Sequence, residues 1–218
     1  MVDYSVVRRN MVESQVRPNR VTDPAIIEAL TGVPRELFVP DPLRGVAYVD
    51  KNIDLGRGRY LMAPMVMARL LQVGEIRPGA IALDIGCASG YSTAVLARLC
   101  DSVMAVEEDT ELVSTATTVL AELGVDNAAV IEGPLTQGYA KQAPYDLILF
   151  DGAIPRVPEA IAGQLAEGGR IVAVIDEGAG IGRGTVFTGH DGGLSGRQIF
   201  DAAIPLLPGF AGKPEFVF

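Results

Sequence analysis

The sequence predicts an α/β fold: a seven-stranded, mostly parallel sheet with helices on both faces. An antiparallel hairpin closes the sheet at the C-terminal end, and a helical extension precedes it. Two patterns carry this expectation. From about residue 80 onward, short apolar runs alternate with segments of helical periodicity, the mark of parallel strands joined by crossover helices. Between the first strand and the first helix lies a glycine-rich turn, Asp84-Ile85-Gly86-Cys87-Ala88-Ser89-Gly90, where open α/β sheets bind nucleotides. Length agrees: 218 residues, 49% of them apolar, suffice for one substantial core.

Taken in order, residues 5–40 are expected to be helical and separate from the core. Thr22-Asp23-Pro24 opens a helix there, with a capping candidate followed by a first-turn proline. Ile26, Ile27 and Leu30 then recur at helical spacing. Residues 45–64 are rich in glycine and predict an irregular loop, followed by a helix carrying Met65, Val66, Ala68, Leu70 and Leu71. The expected organisation is an extension with a substrate loop over 1–64 and a ligand-binding core over 65–218, forming one compact unit. Strands are expected at 80–84, 103–107, 128–132, 146–151, 170–175, 184–188 and 198–204, with helices between the first five. Gly168-Gly169 reads as a helix stop before a buried strand. His190-Asp191-Gly192-Gly193 turns the final hairpin, with a second turn at Ser195-Gly196.

The glycine turn narrows the ligand. Gly86 and Gly90 allow positive φ and close approach to the backbone, and the next helix aims free N–H groups at the same place. Ala88 stands where a dinucleotide fingerprint has its middle glycine, and no lysine follows Gly90, so neither that fingerprint nor a P-loop is present. Asp84 sets a carboxylate beside the turn. It repels pyrophosphate and suits an ammonium group, which points to S-adenosylmethionine in a Rossmann-like core. Glu107 closes the next strand, 21 positions beyond Gly86, where such folds place an acid on the ribose hydroxyls. Asp151 either faces the reaction centre or is an ordinary turn acid before Gly152; the residues alone leave both open.

Other classes are disfavoured. A net charge of −9 argues against non-specific binding to nucleic acid or anionic lipid. The cluster Arg8, Arg9, Arg17 and Arg20 reads as a solvated helix face. Two cysteines, Cys87 and Cys100, make neither a disulfide framework nor a zinc site, and His190 is the one histidine. No metal is expected. No apolar run reaches the roughly 18–20 residues of a membrane span, and no signal-peptide pattern opens the chain. The expectation is a reduced, cytoplasmic protein.

The chain resembles the protein-L-isoaspartate O-methyltransferase family. The resemblance rests on Val33-Pro34-Arg35-Glu36-Leu37-Phe38-Val39-Pro40, Ala47-Tyr48, the 56–64 loop, the glycine turn, Glu107 with Leu112, Glu132-Gly133, the 146–151 strand, Gly168-Gly169-Arg170 and Ile204-Pro205-Leu206. It implies methyl transfer from S-adenosylmethionine to the side carboxylate of isoaspartyl residues in damaged proteins or peptides, leaving S-adenosylhomocysteine. An ionised acceptor needs no general base, so the resemblance implies catalysis by proximity alone. The implied cofactor set is Asp84, Gly86, Cys87, Ala88, Gly90, Tyr91, Glu107, Glu108, Gly133, Pro134 and Asp151; the implied substrate set is Tyr60, Leu61, Met62 and Ala63. Two departures stand out. Met62 replaces a serine whose hydroxyl holds the substrate carboxylate, and Pro134-Leu135 replaces an Asp-Gly pair near the adenine. These departures keep two further readings open: a methyltransferase redirected to a small acceptor, and a non-catalytic S-adenosylmethionine-binding protein.

Overall fold

The computed structural model describes residues 2–178, 181–190 and 193–210. Helix α1 (Tyr4–Met11) starts where the Asp3 carboxylate accepts from the Ser5 and Val6 amides. Helix α2 (Pro24–Gly32) starts at Asp23, whose carboxylate takes the Ala25 N–H at 2.8 Å, with Pro24 in the first turn as the sequence predicts. A π-helical turn over Val12–Val16 and a 3-10 turn over Arg17–Asn19 follow α1. Met11, Val12, Val16, Ile26 and Leu30 are buried in the same apolar cluster as Leu70, Leu71 and Val172. The extension is therefore not separate from the core: its buried side chains belong to the same apolar cluster.

The glycine-rich loop is ordered into a hairpin, β1 (Ile53–Gly56) and β2 (Arg59–Leu61), where the sequence predicts irregular chain. Arg57 and Gly58 turn it with φ of 58° and 71°, the left-handed pair that tight hairpins require. Along β2, Arg59 and Leu61 are buried and Tyr60 is half-buried, the alternation of a strand with one face inward.

Helix α3 (Pro64–Gly74) leads into the main sheet: β3 (Ile81–Ile85), α4 (Tyr91–Ala97), β4 (Ser102–Glu107), α5 (Thr110–Glu122), β5 (Ala128–Glu132), β6 (Tyr145–Ile154), α6 (Glu159–Ala162), β7 (Leu165–Ile175), β8 (Arg183–His190) and β9 (Gly193–Asp201). Strand order is β5-β4-β3-β6-β7-β8-β9. The first five pair in parallel, and β8 and β9 run antiparallel. Order reverses between β3 and β6, which opens a crevice at their carboxyl ends.

Three details differ from expectation, while the expected helix between β6 and β7 is present but short. The β5–β6 connection holds only two 3-10 turns (Leu135–Gln137, Ala140–Gln142), and α6 has four residues. Gly168 and Gly169 lie inside β7: Tyr145 pairs with Leu165 and Leu147 with Arg170, so the chain between them bulges, with Gly168 at φ 72°. Ser195 and Gly196 pair with Thr188 and Phe187 in β9 instead of turning. Glycine suits that strand position because a Cβ would stand 2.8 Å from the Phe187 ring. Asp191 and Gly192 lie outside the described residues. No helix of the described residues is long and apolar enough to cross a membrane.

The last segment returns to the crevice. Ile204, Pro205 and Leu206 do not extend β9. Instead the Ala153 amide donates to the Pro205 carbonyl at 3.0 Å and the Leu207 amide to the Ala153 carbonyl at 2.8 Å. This seats Leu207 on Gly152, where a Cβ would fall 2.4 Å from Leu207 Cδ2. Gly152→Ala should therefore displace the segment and cost about 1–3 kcal/mol of stability by overpacking. Urea denaturation checks this, and an unchanged midpoint would show that Leu207 yields without cost.

Candidate functional site

The glycine turn joins β3 to α4 and is tied to β4. The Gly86 and Cys87 amides donate to the Val106 carbonyl at 2.8 and 3.4 Å. Gly86 and Gly90 take φ of 79° and 94°, a region that disfavours any side chain. Gly90 has a packing role as well: a Cβ there would stand 3.0 Å from Ala116 Cβ on α5. Ala88 is left-handed at φ 49° and donates its N–H to Glu107 Oε2 at 2.8 Å. The Ser89 hydroxyl reaches the Phe38 carbonyl at 2.6 Å, fastening the turn to the N-terminal extension.

Three acids converge on the crevice, all buried. Asp84 Oδ2 accepts from the Ser92 and Thr93 hydroxyls, both at 2.7 Å, and Asp84 Oδ1 has no partner. The sequence places Asp84 beside a ligand; the structure adds that it anchors the first turn of α4. Asp151 lies within β6, not at its end, in a stretch where the register with β7 shifts between Leu149 and Ala153. Its Oδ1 also lacks a partner. Burial, reinforced by the Asp151 charge, raises the Asp84 pKa to about 7. Burial raises Asp151 to about 6, opposed by the Arg59 cation. Burial also lifts the Cys87 thiol well above its ordinary range, so it stays protonated.

Glu107 ends β4 with both oxygens engaged. Oε1 takes the Glu108 and Asp109 amides at 2.9 and 3.3 Å. Oε2 takes the Ala88 amide and, at 3.1 and 3.0 Å, Nε and Nη2 of Arg59. Arg59 Nη2 also donates to the Gly86 carbonyl. Of the remaining candidates, Glu108 is exposed, Gly133 is half-buried with its amide on the Glu107 carbonyl at 3.0 Å, and Pro134 is exposed before the Leu135–Gln137 turn. Tyr91 is buried edge-on to Phe38, ring centroids 5.5 Å apart, and its hydroxyl lacks a partner. Its contacts face the extension.

Of the residues expected to meet the acceptor, Leu61, Met62 and Ala63 are buried and Tyr60 is half-buried. Met62 offers a carbonyl, which takes Arg35 Nη2 at 2.6 Å. Arg35 Nε donates to the Ala47 carbonyl at 2.6 Å, and its guanidinium lies 4.7 Å over the Tyr91 ring. Glu36 accepts from the Tyr48 hydroxyl. Arg8 is not on a solvated face: it donates to the Thr31 carbonyl at 2.7 Å and the Tyr48 hydroxyl at 3.2 Å, and lies 3.6 Å from Glu36. Sequence reasoning missed Arg35, Arg59 and Leu207 as site residues. The Val33–Pro40 block contains Arg35 and gave a signal without a chemistry. Arg59 sits between Gly58 and Tyr60 with no local pattern to bury it.

The family profile described as Protein-L-isoaspartate(D-aspartate) O-methyltransferase (PCMT) matches residues 7–187. A Protein-L-isoaspartate O-methyltransferase of Methanoculleus marisnigri is 39% identical over 168 residues, covering 77% of this chain and 76% of that protein. One of Gloeobacter violaceus is 36% identical over 205 residues, covering 94% and 99%. A solved protein-L-isoaspartate O-methyltransferase superposes with TM-score 0.82 at 26% identity, over 94% of this chain and 67% of that one. A Plasmodium falciparum structure, described as a complex with S-adenosyl-L-homocysteine, superposes with TM-score 0.78 at 20% identity, over 95% and 99%, a likeness of fold.

The raised acids give the site a pH signature. Asp84 ionises from a reference value of 3.8 but only near 7 in the folded chain. The folded state holds the extra proton between those values, so this stabilisation is lost as pH rises from about 4 to about 7. Asp84→Asn cannot ionise. Between about pH 5 and about pH 8, thermal melts should show wild type losing more stability than Asp84→Asn. Equal losses would place the titration elsewhere.

Proposed function

Because this chain belongs to the protein-L-isoaspartate O-methyltransferase family, we propose that it transfers a methyl group from S-adenosylmethionine to the side carboxylate of isoaspartyl residues in proteins or peptides. The product of the cofactor is S-adenosylhomocysteine. The observation that carries the reading is the pair of unpartnered carboxylate oxygens, Asp84 Oδ1 and Asp151 Oδ1, buried beside the glycine turn. An orphaned buried acceptor is costly, and two of them suit a group that is cationic and rich in N–H donors. The amino-acid end of S-adenosylmethionine is such a group, so the residues present fit this cofactor.

Each residue then has a task. Asp84 and Asp151 receive the ammonium. Glu107 is the acceptor for the ribose hydroxyls. Gly86 keeps the floor of the site free of a side chain, with Cys87, Ala88, Gly90, Tyr91 and Glu108 forming the turn and its borders. Gly133 and Pro134 flank the adenine edge. Bound S-adenosylmethionine supplies a methyl carbon made electrophilic by its sulfonium. The protein's contribution is to hold an already ionised carboxylate oxygen in line with that carbon and sulfur and to exclude water. No side chain need move a proton. Residues 1–64 form the acceptor side, through Tyr60, Leu61, Met62 and Ala63, and residues 65–218 form the cofactor core.

Methyl transfer from labelled S-adenosylmethionine to an isoaspartyl peptide, beside its aspartyl twin, tests the reading. Selective labelling of the isoaspartyl peptide is expected. Cofactor binding with no transfer to either peptide would overturn it and turn the search to another acceptor. Met62 has no donor to offer a carboxylate. Met62→Ser should therefore raise kcat/KM for the isoaspartyl peptide by about one to two decades, while losing stability from the emptied volume. No gain would show that the hydroxyl is not what the site lacks.

A further inference from the structure

The side chain over the glycine turn is a cation from the acceptor hairpin. Arg59 is 2% exposed and belongs to β2, yet its guanidinium lies on the acid that ends β4. A Cβ on Gly86 would stand 2.6 Å from Arg59 Nη2 and 2.9 Å from Leu207 Cδ2. The room that a glycine leaves for a ligand is thus filled by these two side chains.

Glu107 cannot serve Arg59 and a ribose together. An ionised carboxylate has about four lone-pair sites, and five N–H groups already crowd them, so a ligand hydroxyl enters only in exchange for one of these. Here Oε1 already holds the Glu108 and Asp109 amides, and Oε2 holds the Ala88 amide together with Nε and Nη2 of Arg59. The three amides belong to the backbone of the turn and of the start of α5, and cannot leave without unmaking them. The guanidinium can leave. Two hydroxyls donating to Glu107 must take its place.

Once displaced, the guanidinium remains tethered. Its hairpin is pinned to α5 by Arg57, which contacts Asp109 at 3.0 Å and Glu111 at 2.5 Å. Arg59 therefore stays next to Tyr60 and three residues before Met62. A cation in so enclosed a place needs another anion, and Asp84 and Asp151, whose charges it already faces, are taken by the ammonium in the proposed function. The acceptor that the proposed function brings there is a carboxylate, and a guanidinium matches it with two parallel N–H donors.

We propose that Arg59 is a gate shared by the two substrates: it occupies the cofactor's place on Glu107 in the free protein, is displaced by the ribose, and then binds the acceptor carboxylate. It thereby makes acceptor binding depend on the cofactor. The acceptor half rests on the isoaspartyl reading; the cofactor half does not.

The experiment is calorimetry with S-adenosylhomocysteine, then with an isoaspartyl peptide added to the loaded protein, for wild type, Arg59→Gln and Arg59→Lys. Removing the competing cation should tighten S-adenosylhomocysteine by about tenfold or more, because the competent state is no longer a minor one. The same Arg59→Gln change should weaken the peptide by about tenfold, with Arg59→Lys between. Cofactor affinity unchanged or weakened in folded Arg59→Gln overturns the gate. Tighter cofactor with unchanged peptide affinity overturns the acceptor role alone. Wild type that binds S-adenosylhomocysteine but not the peptide overturns the acceptor half and the isoaspartyl reading, leaving the gate standing. Should Arg59→Gln fail to fold, arginine-labelled wild type decides: the Arg59 Nε–H resonance must shift on saturation with S-adenosylhomocysteine, and an unmoved resonance overturns the gate.

Discussion

The packing of the Val33–Pro40 block against the rest of the molecule depends on one buried cation. The Arg35 guanidinium is withdrawn from water, and three parts of the chain meet on it: the Ala47 carbonyl, the Met62 carbonyl and the Tyr91 ring. Burial lowers its pKa, and the nearby Tyr91 and Asp151 oppose that shift. Taking a charge out of water is costly unless hydrogen bonds replace the solvent. Arginine suits the task because its planar fork reaches several acceptors at once. Without this contact, nothing else described holds the Met62 carbonyl. The Glu36–Tyr48–Arg8 group beside it ties the same block to α1. The Val33–Pro40 segment is thus the clamp between α1 and the glycine turn.

Inside that frame the site is a balance of buried charges. Arg59 acts on Asp84, Asp151 and Glu107, and Arg35 on Asp151, all of them buried. Arg59 is paired with Glu107, while two aspartates each keep an unpartnered oxygen. The aspartates respond by rising in pKa: burial favours the proton on both, helped by the Asp151 charge at Asp84 and by the Glu107 charge at Asp151. A cationic ligand with N–H donors relieves both the repulsion and the missing hydrogen bonds. Buried carboxylates that lack donors, in this specific sense, mark a site suited to a cationic ligand.

Much of the fold was legible because it rests on local rules. Alternating apolar periods gave the parallel sheet, Asp23-Pro24 gave the start of α2, and the glycine spacing excluded a pyrophosphate ligand. The misreadings share a cause. Gly168-Gly169 and Ser195-Gly196 look like punctuation, yet one pair lies in a bulge and the other inside a strand. Glycine marks a need for space or for positive φ, and sequence alone does not say which. Arg8 was read as solvated because charge is usually exposed; its partners Thr31, Glu36 and Tyr48 come from segments far along the chain.

The sequence by itself determined the sheet, the position of the glycine turn, the acids Asp84 and Glu107, and the family. Each follows from spacing along the chain, and spacing is a one-dimensional property. The tertiary structure alone decided what surrounds those residues. It brought Arg59 to Glu107 across 48 positions and Arg35 to Met62 across 27, and it returned Leu207 over Gly152. It also turned Asp84 into an anchor for α4 as well as a candidate ligand group. The physical reason is that a buried charge selects its partners from whatever the packed core brings within about 3 Å. That choice is made only once the core has formed.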